Sequence, residues 1–180
     1  MSLPRTPSQT VGPFFEFGMV TKPLLVDEDA PGAIRIEGQV LDGAGEPVPD
    51  GLVEIWQAGA DGRYEEGHLG WGRCQTDADG GYAFTTIKPG AVSEADGTTL
   101  APHLTVLCFA RGLLKPVLTR VYFSDEQEAN RADPVLGAIG SDSDRATLVA
   151  TVIGPGTYRF DIRLQGDEQT VFFTTPAAGL

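Results

Sequence analysis

Residues 100–112 read LAPHLTVLCFARG, an apolar run with a histidine near one end and an arginine at the other. The run 104–110 is short and apolar, which is typical of a buried β-strand. Side chains two residues apart on a strand point to the same face. His103 and Thr105 are therefore predicted to share a face, and Arg111 joins them if the strand extends that far.

Other short segments have the same strand character. They are rich in β-branched and aromatic residues, and Gly/Pro turns such as DGAGEP (42–47) and DADGG (77–81) separate them. Only 125–139 has a helical pattern, which Pro134 interrupts. The predicted strands are 34–41, 53–56, 82–87, 104–110, 118–123, 148–153, 158–164 and 171–173.

Many short strands with Gly/Pro turns predict an all-β fold with an antiparallel β-sandwich core and little helix. We assign this sandwich to residues 34–180. Residues 1–33 are an N-terminal arm with five prolines and with the aromatic residues Phe14, Phe15 and Phe17. Such an arm cannot form a core of its own, so we expect its apolar side chains to pack on the sandwich or, as we favour, on a partner chain.

The composition excludes several classes of protein. Of the 180 residues, 41% are hydrophobic and 21% charged, as in soluble globular proteins. The net charge of −12, without a basic cluster, argues against nucleic-acid binding. No apolar run is long enough to span a membrane, and the N-terminus lacks a signal-peptide pattern, so a cytoplasmic protein is expected. Cys74 and Cys108 do not form a disulfide framework, and Cys108 is expected in the core.

The residues alone leave the role of His103 open. A metal site needs further ligands, yet Thr105 stands where a second histidine would, and the other histidine of the chain is His68. A core histidine is the main alternative, and a Ser-His-Asp base lacks a GxSxG motif. Arg111 is a surface residue or a carboxylate-binding one. Asp77 and Asp79 are expected to cap a turn rather than to bind a cation.

Several segments, in order, resemble the intradiol ring-cleaving dioxygenases. They are GQVLDGAGEPVPDGLVEIWQAGADGRY, GRCQTDADGGYAFTTIKPG, APHLTVLCFARG and YRFDIRLQGDEQTVFF, which together cover nearly the whole chain. The resemblance implies a β-sandwich core, in agreement with the strand pattern. It also implies chemistry at Fe(III) held by two tyrosines and two histidines, because hard Fe(III) favours phenolate oxygens with imidazole completing the set.

The resemblance also implies that this chain has lost the metal site. Of the four ligand positions, Tyr64 and His103 are retained, whereas Val92 and Thr105 replace the second tyrosine and the second histidine. Leu100 stands where the family pattern has an arginine. The chain is therefore expected to bind no metal and to have no catalytic residue of its own, with Fe(III) held by a β subunit of the same enzyme.

The resemblance further implies a role in an α–β hetero-oligomer. In that complex the β subunit's Fe(III) and O₂ cleave protocatechuate (3,4-dihydroxybenzoate) between its hydroxylated carbons to 3-carboxy-cis,cis-muconate. Thr10, Gly12 and Pro13 of the arm, with Arg111, are expected to line the substrate pocket. Two alternatives remain. One is a non-catalytic β-sandwich binding module, which Trp56 and Trp71 would support. The other is a stand-alone dioxygenase that binds its metal through different ligands.

Overall fold

The computed structural model describes residues 6–12, 14–64 and 70–174. The chain is built mostly of strands. The strands are β1 (Ala33–Leu41), β2 (Leu52–Gln57), β3 (Trp71–Gln75), β4 (Gly81–Ile87), β5 (Val92–Ser93), β6 (Thr99–Leu100), β7 (His103–Phe109), β8 (Val117–Phe123), β9 (Val149–Gly154), β10 (Thr157–Arg159) and β11 (Ile162–Arg163). The helices are α1 (Gln127–Ala132), α2 (Pro134–Gly137), α3 (Asp142–Ala146) and a 3₁₀ turn at Glu16–Gly18.

The strands form a sandwich of two connected layers. One layer contains β3, β2, β7 and β8 in that order, and the other contains β9, β10, β1 and β11, with β4 pairing β1. A parallel pair between β8 and β9 joins the two layers. The all-β prediction is confirmed, although β1 also pairs in parallel with β10 and β11, which the strand pattern did not indicate.

The main core lies between the two layers. Alternate residues of β1, such as Ile34, Ile36 and Val40, are buried against it. From the other layer, β7 contributes Leu104 and Cys108. Cys108 is fully buried, which raises the pKa of its thiol to about 12. This burial confirms the sequence interpretation of Cys108 as a small core residue.

The predicted strand 158–164 is interrupted, and the cause lies on the neighbouring strand. At Phe160 the backbone leaves β10, and the chain resumes pairing as β11. Gly38 of β1 allows this path, because a Cβ built on it would lie 1.7 Å from the Phe160 carbonyl oxygen. The Tyr82 hydroxyl donates a 2.6 Å hydrogen bond to the same oxygen. The interruption is therefore a close backbone crossing that depends on glycine.

Several other strand predictions need correction. β3, β5 and β6 were not predicted, since β5 and β6 have two residues each and β3 (WGRCQ) has no apolar alternation. The predicted strand 171–173 forms only an isolated bridge between Phe173 and Leu118. Backbone pairing, which the local pattern does not reveal, decides each of these cases.

The helical segment 125–139 is divided into α1 and α2. The division comes directly before Pro134, which cannot continue a helix but suits its first turn. Asp133 caps α2 by accepting hydrogen bonds from the backbone N–H groups of Val135 and Leu136. Within the described part of the chain, no helix is long and apolar enough to cross a membrane.

Part of the arm packs on its own sandwich. Lys22 exchanges backbone hydrogen bonds with Arg73, and Leu25 donates one to Thr85. Leu25 also packs against the core, and the rings of Phe15 and Phe109 lie 5.7 Å apart. Phe14 and Phe17, in contrast, are 76% and 75% exposed. The arm thus has one attached side and one apolar face without a covering group among the described residues.

We predict that Gly38→Ala destabilises the chain by about 3 kcal/mol or more, because the new methyl group overlaps the Phe160 carbonyl. Urea unfolding followed by tryptophan fluorescence measures the change. Gly137→Ala in α2 is the matched control, since its Cβ would meet no atom within 4 Å. The control is expected to be neutral or slightly stabilising. Equal unfolding curves for the two variants would contradict the role of Gly38.

Candidate functional site

The outer face of β7 carries two of the predicted site residues, His103 and Thr105. Antiparallel pairing places Thr105 opposite Trp56 of β2 on one side and opposite Arg120 of β8 on the other. His103 lies opposite Tyr122 of β8. His103 and Thr105 thus share a face, as strand parity predicted, and a cation from β8 lies beside them.

His103 is a buried, neutral histidine with one ring nitrogen engaged. Its Nδ1 lies 2.7 Å from the Ala101 carbonyl oxygen, so Nδ1 carries the proton and donates it. The ring is 3% exposed and lies 5.8 Å from the ring of Tyr122. Burial lowers the pKa of His103, and the nearby Arg120 lowers it further. The Ala101 carbonyl thus gives the buried ring a hydrogen-bond partner within the chain.

Tyr64 reaches the same region from the loop after β2. Its ring stacks on Trp56 at 5.9 Å with an interplanar angle of 7°. The loop is held by close backbone packing, since a Cβ on Gly62 would lie 1.9 Å from the Ala91 carbonyl oxygen. Burial raises the pKa of the Tyr64 phenol, which therefore stays protonated near neutral pH. In this structure the Tyr64 ring is therefore the stacking partner of Trp56.

Val92 and Leu100, two positions that differ from the family pattern, pack against each other. Val92 of β5 pairs with Leu100 of β6. Both side chains are buried in a small apolar cluster with Ala58, against which Val135 also packs. Aliphatic side chains have no atom that can coordinate a metal. Where the resemblance predicts a tyrosine and an arginine, this chain therefore has a hydrophobic contact.

The donor set does not fit Fe(III). Of the four family positions, Val92 offers no donor atom and Thr105 offers only a neutral hydroxyl. Arg120 places a permanent positive charge opposite Thr105, with a guanidinium nitrogen 3.4 Å from the Tyr122 hydroxyl. Across residues 6–12, 14–64 and 70–174, no three His, Cys, Asp or Glu side chains are grouped so as to hold a metal ion.

Asp133 holds the segment before β7 in place. Its carboxylate is 1% exposed and accepts a hydrogen bond from the Ala101 backbone N–H in addition to those from α2. The Tyr122 hydroxyl approaches the same carboxylate at 3.3 Å. Asp133 thus links α2, β8 and the segment at Ala101 that leads into β7.

At the other end of β7, the structure brings the arm to Arg111. β7 ends at Phe109, and Arg111 lies in the following turn with 57% of its side chain exposed. The Thr10 hydroxyl accepts a 2.8 Å hydrogen bond from the Gly112 backbone N–H. Arg111 also forms an ion pair with Asp50. Thr10 and Arg111, which are far apart in the sequence, are therefore neighbours.

Of the remaining arm positions predicted to line the pocket, Gly12 lies among the described residues. Gly12 is exposed, and a Cβ built there would meet nothing within 4 Å. Pro13, another predicted site residue, lies outside the described residues, as does His68. A cavity of about 130 Å³ lies between the arm and the β7–β8 connection. Its lining includes Gln9, Val11, Phe15, Phe109, Leu114 and Pro116.

Comparison with known proteins places this geometry in a family. A family described as "Dioxygenase" matches residues 16–166. The chain is 41% identical to the protocatechuate 3,4-dioxygenase alpha chain of Pseudomonas putida, with 95% of this chain and 96% of that one covered. The chain belongs to this dioxygenase family.

Two further relatives extend the comparison. The protocatechuate 3,4-dioxygenase beta chain of Burkholderia cepacia is 35% identical, with 76% of this chain and 66% of that one covered. The dioxygenase domain of a dioxygenase–carbohydrate-binding protein fusion from Streptomyces sp. SirexAA-E superposes with a TM-score of 0.64 at 29% identity, covering 89% of this chain and 98% of that domain.

Membership of the dioxygenase family confirms the resemblance found in the sequence. The chain is a subunit of an oxidoreductase of the intradiol type, and that family uses Fe(III). This assignment favours a dioxygenase subunit over the alternative of a binding module. The occurrence of both alpha and beta chains among the relatives indicates an alpha–beta assembly.

Three residues of the candidate site were missed from the sequence. Arg120 lies opposite Thr105 because β8 pairs with β7. Asp50 meets Arg111 through an ion pair beyond the end of the β2–β7 ladder. Asp133 acts through its position before Pro134. The Asp-Pro pair was a usable signal for Asp133, because aspartate before a helix-starting proline is a common N-cap. No local signal marks Asp50 or Arg120.

We predict that Asp133→Ala lowers the free energy of unfolding by roughly 2–4 kcal/mol. Loss of an N-cap costs about 1 kcal/mol, and each buried N–H left without an acceptor costs about 1–3 kcal/mol. Urea unfolding measures the change, with the exposed Asp167→Ala as control. A difference below about 0.5 kcal/mol between the two variants would rule out the linking role of Asp133.

Proposed function

We propose that this chain is the metal-free alpha subunit of a protocatechuate 3,4-dioxygenase. It completes an active site in which the beta subunit's Fe(III) and O₂ cleave 3,4-dihydroxybenzoate to 3-carboxy-cis,cis-muconate. The observation that carries the proposal is the identity of 41% to an alpha chain of that name over nearly the full length of both chains.

The state of the family's metal positions supports the assignment to a subunit without iron. The scaffold around them is retained, with the Tyr64–Trp56 stack and the hydrogen-bonded His103 ring still in place. Val92 and Thr105 stand at two of the four positions where donor atoms would be needed, and Arg120 lies opposite Thr105. A chain that keeps the fold but not the ligands depends on a partner for the iron chemistry.

The arm, residues 1–33, is proposed to contact the beta subunit. Phe14 and Phe17 lie with ring centroids 5.8 Å apart and are largely exposed, and Val20 is 78% exposed. Apolar groups exposed side by side in this way are typical of protein–protein interfaces. Their burial against the beta subunit would also close the pocket to water.

Arg111 is proposed to bind the carboxylate of the substrate, with Thr10, Gly12 and Pro13 forming the adjacent wall. Arginine suits this role because its planar guanidinium can donate two parallel hydrogen bonds to a carboxylate. The exposure of Arg111 leaves it accessible from outside the subunit. Thr10 holds the arm against the turn that carries Arg111, through its hydrogen bond with the Gly112 N–H.

We predict that the purified chain alone contains no stoichiometric iron and is colourless. Co-expression with a beta subunit is expected to yield a complex that contains iron and has the burgundy colour of tyrosinate-to-iron charge transfer. Iron analysis by mass spectrometry and a visible spectrum measure both states. Stoichiometric iron in the isolated chain would contradict the proposal.

We predict that Arg111→Ala in the complex keeps the iron content but lowers kcat/KM for protocatechuate by about 10- to 150-fold. This range corresponds to about 1.5–3 kcal/mol for hydrogen bonds to a charged group. Steady-state oxygen uptake measures the effect. The control Arg35→Ala removes another exposed arginine, which pairs with Glu37, and is expected to leave kcat/KM unchanged. Unaltered kinetics in Arg111→Ala would remove Arg111 from the site.

A further inference from the structure

Asp50 lies directly opposite Arg111 because of the β2–β7 register. Leu52 is paired with Phe109, and the same register continued by two residues on each strand joins Asp50 to Arg111. The side chains meet there as an ion pair between Asp50 Oδ2 and Arg111 Nε. Both residues lie in turns just beyond the paired strands, at positions that the strand register brings together.

The turn that carries Asp50 is itself fixed. The Thr76 hydroxyl accepts a 2.8 Å hydrogen bond from the Gly51 N–H and donates a 2.7 Å bond to the Val48 carbonyl. Thr76 is 6% exposed. Asp50 thus extends from a rigid turn, whereas Arg111 lies in a turn tied to the arm through Gly112 and Thr10.

The two partners of the ion pair differ in exposure. The Asp50 side chain is 15% exposed and that of Arg111 57%. Asp50 Oδ2 is shielded from solvent, and no conventional hydrogen bond from the described residues reaches it, which leaves the Arg111 cation as its compensation. Arg111 engages this oxygen through Nε. Its two terminal nitrogens, which form the guanidinium's end-on pair of donors, make no hydrogen bond to the described residues and can serve another ligand.

We infer that Asp50 is a positioning residue that holds Arg111 by Nε so that its terminal nitrogens present a preformed two-point site for a ligand carboxylate. This inference rests on the proposed function, in which that carboxylate belongs to the aromatic acid bound at the alpha–beta site. Holding the guanidinium in advance removes the cost of ordering a long side chain when the acid binds.

Binding of two probes to the assembled alpha–beta complex tests the inference. 4-Hydroxybenzoate carries the carboxylate and phenol lacks it, and titration calorimetry gives Kd for each. Asp50→Asn is expected to weaken 4-hydroxybenzoate binding by roughly 3- to 10-fold, the cost of ordering one side chain, and to leave phenol binding unchanged. Glu37→Gln removes a comparable carboxylate from the Nε of Arg35 and is the matched control, expected to alter neither.

A double variant separates positioning from a general structural effect. In an Arg111→Ala background, Asp50→Asn is expected to cause no further loss of 4-hydroxybenzoate affinity, because the side chain that it positions is gone. Loss of phenol binding, or an equal loss with and without Arg111, would overturn the inference. Tighter 4-hydroxybenzoate binding by Asp50→Asn would also overturn it, since Asp50 would then screen the charge of Arg111 rather than orient it.

The same measurements distinguish failure of the inference from failure of the proposed function. If Arg111→Ala weakens 4-hydroxybenzoate but Asp50→Asn does not, only the role of Asp50 is wrong. If Arg111→Ala leaves both probes unaffected, the proposed carboxylate site itself is wrong. Should Asp50→Asn fail to assemble, Asp50→Glu keeps the charge but displaces it by one methylene. It is expected to weaken the carboxylate probe alone, and unchanged affinity for that probe would overturn the inference.

Discussion

The antiparallel pairing of β7 with β2 on one side and β8 on the other positions the candidate-site residues at both ends of β7. This register places Trp56, Thr105 and Arg120 in one row at the His103 end of the strand. Continued past the other end, it brings Asp50 to Arg111. A slip of one residue would move each side chain to the opposite face. The buried alternation of Leu104, Val106 and Cys108 prevents such a slip.

The positions where the resemblance predicts metal ligands pack against other side chains of the same chain. Val92 and Leu100 fill the positions of two polar side chains with a mutual apolar contact. His103 keeps a hydrogen bond to Ala101, so its buried ring has a partner without a metal ion. The region has become ordinary protein interior on one side and a stacked aromatic pair on the other. On the proposed function, these contacts keep the scaffold intact without iron.

The sequence predicted those features that depend on local pattern. The alternation in β1, the shared face of His103 and Thr105 and the burial of Cys108 all follow from strand periodicity. The resemblance to dioxygenases came from ordered segments and was sufficient to identify the family. In contrast, the interruption at Phe160 depends on Gly38, more than a hundred residues earlier. The pairs Asp50–Arg111 and Thr105–Arg120 depend on which strands become neighbours, and a single sequence contains no local signal for that choice.

The charge distribution favours recognition at short range. The chain carries a net charge of −12, so at a distance it repels an aromatic acid. Arg111 is already paired with Asp50, which reduces its long-range field further. Salt screens exposed charges beyond about 8–10 Å in any case. What remains attractive is the directed pair of terminal N–H donors, which acts only at contact distance. A site of this kind recognises a carboxylate by its geometry once the ligand is in the pocket. The site contributes little long-range attraction for the ligand.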